Sequence, residues 1–138
     1  MDKTFHLEVL TPYRKFYEGD VEEIIVTTTT GQIGILKDHI PLTTPIAQAG
    51  TLQIKKDGQW KEAFISGGFM EVRRNGVTIL SSAAEWPEEI DIARAQAAKE
   101  RAEEKLRQKR NKQEYIAAEA ALKRALMRLK IASKYQEM

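Results

Sequence analysis

The 138 residues carry 22 Lys and Arg against 20 Asp and Glu, 42% hydrophobic side chains and no cysteine. The missing cysteines exclude disulfides and thiolate metal sites, and no apolar run reaches the roughly 18 residues that would cross a bilayer as a helix. The net charge of +2 hides an asymmetry: residues 1–86 hold 9 basic against 11 acidic side chains, and residues 87–138 hold 13 against 9. The second half is therefore either a solvated helical surface or a face that meets something anionic. The opening MDKTFHLEVL lacks the basic-then-apolar order of a signal peptide, so the chain reads as a soluble cytoplasmic protein of one domain, or of two small ones.

Phe5, Leu7 and Val9 alternate with His6 and Glu8, the period of a half-buried strand. Val21 to Thr30 is rich in β-branched residues, which suit a pleated surface. Asp57-Gly58 and Asn75-Gly76 each separate two strand-like runs and tolerate the positive φ of a type I′ hairpin turn. Ser66-Gly67-Gly68 lacks the G-x-S-x-G frame of a nucleophile elbow and reads as a bend within a strand. Many short strands joined by tight turns predict an all-β sandwich or flattened barrel over residues 1–86.

At Trp86-Pro87 the language changes. From Glu88 onward there is no Gly or Pro, and Ala, Glu, Lys, Arg and Leu dominate. Either Pro87 opens the first turn or Asp91 caps the helix proper. The polar stretch 108–114, with Asn111, predicts a break, and a second helix from about Gln113 to about Ser133. A short connection makes the two helices an antiparallel hairpin over residues 87–138.

The seam of that hairpin is small. Ala118, Leu122, Ala125, Leu129 and Ala132 recur on the second helix, and Ala95, Ala98, Ala102 and Leu106 on the first. Each Ala in place of Leu forgoes roughly 2 kcal/mol of burial, at about 0.8 per methylene. Helix propensity is nevertheless high, so the helices should persist even where their packing partner changes.

No phosphate-binding loop, dinucleotide fingerprint or zinc-protease motif is present, and His6 sits on the polar phase of its strand, apart from His39. Nothing reads as catalytic or metal-binding. Arg124 and Arg128, four apart, share a face that flanks the seam and have no acidic neighbour on their own helix. They are either solvated or grip an anion bidentately. By contrast Lys99 has Glu103, and Glu103 has Arg107. Asp91 and Arg94 read as a helix cap and its i, i+3 surface pair, or as part of the same anion site.

The stretch GQIGILKDHIPLTTPI (31–46) resembles a loop of the epsilon-subunit family of bacterial F-type ATP synthases, which usually reads G-x-L-G-I-L-P-G-H-x-P-L. LQIKKDG, FISGGFMEV, VTILSSAAE and the alanine-rich hairpin extend the resemblance over essentially the whole chain, with Lys37-Asp38 standing where Pro-Gly is common. The resemblance implies a sandwich that attaches to the rotor, contacting the gamma subunit and, through Gln32, Ile33, Gly34, Lys37, Asp38 and His39, the c-ring. It also implies a hairpin that lies folded or extends toward the catalytic alpha and beta subunits, blocking ATP hydrolysis when extended. Ile90-Asp91-Ile92-Ala93-Arg94-Ala95 matches the I/L-D-x-x-R-A motif of Bacillus-type members. In those members the motif resembles an ATP-binding site, which here would comprise Glu85, Ile90, Asp91, Arg94, Ala95, Arg124 and Arg128. ATP would be a regulatory ligand that is not hydrolysed, and the protein a peripheral subunit on the cytoplasmic face of the membrane. The rival readings are a nucleic-acid-binding basic hairpin and a coiled-coil adaptor. Interleaved Glu100, Glu103, Glu104 and Glu119 oppose the first, and the short seam opposes the second.

Overall fold

The computed structural model describes residues 3–136, so residues 1–2 and 137–138 of the two expected units lie outside it. The chain divides into two compact units, one up to Glu85 and one from Trp86 on.

The first unit is a β-sandwich of ten strands among the described residues. One sheet runs in the order β2 (Lys15–Val21), β1 (Phe5–Leu10), β9 (Gly76–Leu80), β8 (Phe69–Arg73), β5 (Leu42–Pro45). The other runs β10 (Ala83–Glu85), β7 (Gln59–Ser66), β6 (Gly50–Lys56), β3 (Glu23–Thr28), β4 (Gly31–Leu36). All pairs are antiparallel except β1 with β9. The alternation of the sequence becomes the two inner faces. Leu7, Val9, Met70 and Ile79 of the first sheet are fully buried, as are Ile24, Val26, Leu52 and Ile65 of the second. The β-branched stretch from Val21 is broken at Glu22, where the chain leaves one sheet and enters the other.

The two expected hairpins fared differently. Lys56 pairs with Gln59, and Asp57 and Gly58 take φ of 53° and 75°, the pattern of a type I′ turn. The second turn is centred one residue earlier than expected. Arg73 pairs with Gly76, so Arg74 and Asn75 form the loop and Gly76 opens β9. Gly76 answers a different demand: it holds φ of 147°, and a Cβ there would lie 2.6 Å from the carbonyl oxygen of His6. Ser66 likewise ends β7, and Gly67-Gly68 join it to β8 rather than bending one strand. It is held by the Ser81 hydroxyl donating to the Ser66 carbonyl at 2.8 Å.

The second unit opens with a single 3₁₀ turn, Pro87–Glu89, closed by the Trp86 N–H donating to Glu89 Oε1 at 2.9 Å. Helix α1 (Ile92–Gln108) follows, capped by Asp91, whose Oδ1 accepts from the Arg94 N–H at 3.0 Å. Both candidate starts are thus used, one for each element. Lys109, in the left-handed conformation, ends α1. Asn111 Oδ1 accepts from the Glu114 N–H at 2.8 Å and caps α2 (Lys112–Gln136). The expected break therefore falls in place, although α2 runs three residues past the expected Ser133.

α1 and α2 pack against each other, and most of the residues they bury are alanines: Ala95 and Ala102 on α1, Ala118, Ala125 and Ala132 on α2. Leu106, Leu122 and Leu129 are only half-buried. Ile131, outside the expected seam, is also buried. The expected Glu103–Arg107 pair gives way to Glu104, one residue further along, which Arg107 Nη2 meets at 2.7 Å. At i, i+3 the guanidinium reaches Glu104 with two nitrogens, which compensates for leaving Glu103.

Candidate functional site

The three expected nucleotide-site arginines all lie on the hairpin, at similar distances along the chain from its connection. Arg94 precedes the helix connection by about as many residues as Arg124 and Arg128 follow it, and all three lie on helices with the same rise per residue. The 3₁₀ turn at Pro87–Glu89 packs on α2, which keeps the start of α1 beside the C-terminal half of α2. In the seam lie the buried alanines Ala95, Ala125 and Ala132.

Around that seam the expected residues take distinct environments. Ile90 and Ala95 are buried, at 7% and 4% exposure, and form an apolar floor at the helix start. Asp91 and Arg94 are exposed; Arg124 and Arg128 are half-buried. One Asp91 oxygen is engaged by the helix cap, and the other oxygen remains for a further donor. Among the described residues no carboxylate lies within ion-pair distance of Arg94 or Arg124. Glu85 ends β10, half-buried and paired in register with Phe64, and belongs to the sandwich. Such an arrangement can hold a polyanion on guanidiniums while a small apolar floor receives a flat ring.

The second expected site changes character. Gln32, Ile33 and Gly34 form no loop: they lie on β4, an edge strand paired only with β3. Only Lys37 and Asp38 form the turn, with His39 closing it by donating its N–H to the Leu36 carbonyl at 3.2 Å. Asp38 takes φ of 65°, the left-handed conformation that Gly adopts freely and that Asp tolerates better than most residues. The turn thus survives the Lys37-Asp38 substitution of Pro-Gly. His39 Nδ1 donates to the Ile40 carbonyl at 2.6 Å, which orients the ring, and Ile40 itself is 75% exposed.

Sequence reasoning placed His6 on the surface but missed its partners. Its Nε2 lies 3.0 Å from Glu18 and its Nδ1 3.3 Å from Asp20, both across the β1–β2 ladder. The bond to Glu18, then that to Asp20, favours the imidazolium and raises its pKa above 6.5. Because the folded value is the higher, this contribution is complete below the unfolded pKa and is lost as pH rises through the folded one. His6→Gln should therefore flatten the decline in thermal midpoint as pH rises above about 6.5, a small effect for so exposed a pair. An unchanged pH profile would show that the pair does not form in solution.

Known proteins resemble the chain in both units. Residues 4–87 match the family described as ATP synthase, Delta/Epsilon chain, beta-sandwich domain. Residues 88–133 match the ATP synthase, Delta/Epsilon chain, long alpha-helix domain. The ATP synthase epsilon chain of Caldanaerobacter subterraneus subsp. tengcongensis is 98% identical over the whole of both chains. The ATP synthase epsilon chain of Caldicellulosiruptor bescii is 54% identical over 96% of each. Among solved structures, a chain in the Euglena gracilis mitochondrial ATP synthase (OSCP/F1/c-ring) superposes with a TM-score of 0.79 at 25% identity, over 92% of this chain and 80% of that one.

Proposed function

Because this chain belongs to the ATP synthase delta/epsilon family, we propose that it is a non-catalytic subunit of the central rotor whose helical hairpin governs ATP hydrolysis. The sandwich would be the anchor. It would meet the gamma subunit and, through β4 and the turn at Lys37–His39, the c-ring, at the membrane surface but outside the bilayer. No helix among the described residues is long and apolar enough to cross a membrane.

The hairpin would be the regulated part. The observation that carries this reading is the hairpin's seam of five buried alanines, with Arg94 about as far before the helix connection as Arg124 and Arg128 are beyond it. So small a seam leaves the folded posture weakly favoured, and a ligand bridging both helices has leverage over it. ATP fits the chemistry: three guanidiniums for its phosphates, with the free Asp91 oxygen and nearby backbone for the adenine edge, over the floor of Ile90 and Ala95. Glu85 would join from the chain leading into the hairpin. Nothing in this set attacks a phosphate, so ATP would be sensed and released intact. Extended, the hairpin would reach the alpha and beta subunits and oppose rotation in the hydrolytic direction.

Co-purification tests the anchor. Tagged chain lacking residues 87–138 should recover gamma and the c-ring as well as full-length chain does. Loss of both partners from the truncated chain alone would move the anchor to the hairpin and overturn this division of labour.

A further inference from the structure

One end of the sandwich holds a cavity of about 200 Å³, beside the turn that the rotor reading gives to the c-ring. Two tight turns frame it. The β4–β5 turn brings Lys37 and His39, and the β8–β9 turn brings Arg73, Arg74 and Asn75. We propose that this cavity is a binding site for a phosphate-bearing anion, independent of the nucleotide site on the hairpin.

Charge is the first support. Lys37, Arg73 and Arg74 are permanent cations, and two carboxylates, Asp20 and Asp38, also line the space. Asp20 already faces the His6 ring at 3.3 Å, so its charge is shared before any ligand arrives. Glu71 shares the charge of Arg73 in the same way, so Lys37 and Arg74 stand against Asp38. That balance favours an anion, and a guanidinium matches the oxygens of a phosphate with forked hydrogen bonds. Size is the second support. At about 30 Å³ per water, the cavity holds several waters, enough for a phosphate group with part of its hydration.

Order is the third support. Arg73 is paired with Glu71 across its own strand, which fixes where its guanidinium lies. Arg74, in the two-residue loop, is exposed, and no ion pair to it forms among the described residues. The His39 N–H to Leu36 carbonyl bond holds the opposite turn, and Asn75 offers amide donors. Arg73 and the turn at Lys37–Asp38 are thus held before any ligand arrives, which lowers the ordering cost of binding.

Amide shifts of the ¹⁵N-labelled full chain test the site. One titration uses inorganic phosphate at ionic strength held constant with chloride. A second uses phosphatidylglycerol vesicles, with phosphatidylcholine vesicles as control. Saturable shifts confined to residues 36–39 and 73–77 are expected, weakened about tenfold or more in the Arg73→Ala/Arg74→Ala variant. Saturation by inorganic phosphate identifies a free anion as the ligand; saturation only by the anionic vesicles identifies a lipid headgroup. No saturable shift with either, or equal affinity in the double variant with the rest of its spectrum unchanged, overturns the proposal.

Discussion

ATP affinity of the isolated chain should fall about tenfold or more with Arg124→Ala, and again with Arg128→Ala. Each guanidinium would make hydrogen bonds to charged oxygens, which are worth roughly 1.5–3 kcal/mol, and 1.4 kcal/mol is a factor of ten. Neither substitution should unfold the hairpin. Both residues are only half-buried, and alanine has the higher helix propensity. Separating the two like charges at i, i+4 even favours α2 slightly. Calorimetry gives the affinity, and far-ultraviolet circular dichroism checks helix content. Unchanged affinity in both variants would reject this site. Loss of binding together with loss of helix would make the arginines structural instead. A distance probe between α1 and α2 adds the conformational readout: ATP should narrow its distribution in the parent chain and leave it broad in the variants.

Much of this architecture could be read before the fold was seen, because local chemistry decides it. Asp57-Gly58 was legible since both residues adopt positive φ, which few other pairs accept. The helices were legible because residues after Pro87 lack every breaker, and Asn111 announces its own cap. Asn75-Gly76 misled for a physical reason. Gly76 is glycine because β1 passes close to it, not because it forms the turn. A contact between residues this far apart leaves no local mark. Gln32-Ile33-Gly34 misled in the opposite direction: the family resemblance suggested a loop, yet the segment pairs residue for residue with β3. The cavity at the sandwich end could not be anticipated, since it joins two turns separated by several strands.

Removing residues 87–138 should leave a folded sandwich and raise ATP hydrolysis by the assembled enzyme. The core residues Leu7, Ile24, Leu52, Phe64, Met70 and Ile79 all belong to the first unit, so its stability is its own. The size of the rise reports the posture of the hairpin. If folded and extended forms are evenly populated, removing the arm gains about twofold; if nine-tenths are extended, about tenfold. ATP should then erase the difference. At 100 times its Kd, a ligand that binds only the folded form contributes about 2.7 kcal/mol, a shift of about a hundredfold. An evenly balanced arm is then almost wholly folded, and truncated and full-length enzymes should hydrolyse at nearly the same rate. Arg124→Ala in the full-length chain should keep the inhibition at the ATP concentration that relieves it in the parent. Each failure points to a different link. No gain at any ATP concentration removes the inhibitory role of the hairpin. A gain that persists unchanged at saturating ATP leaves the inhibitory arm in place and removes the nucleotide from its control.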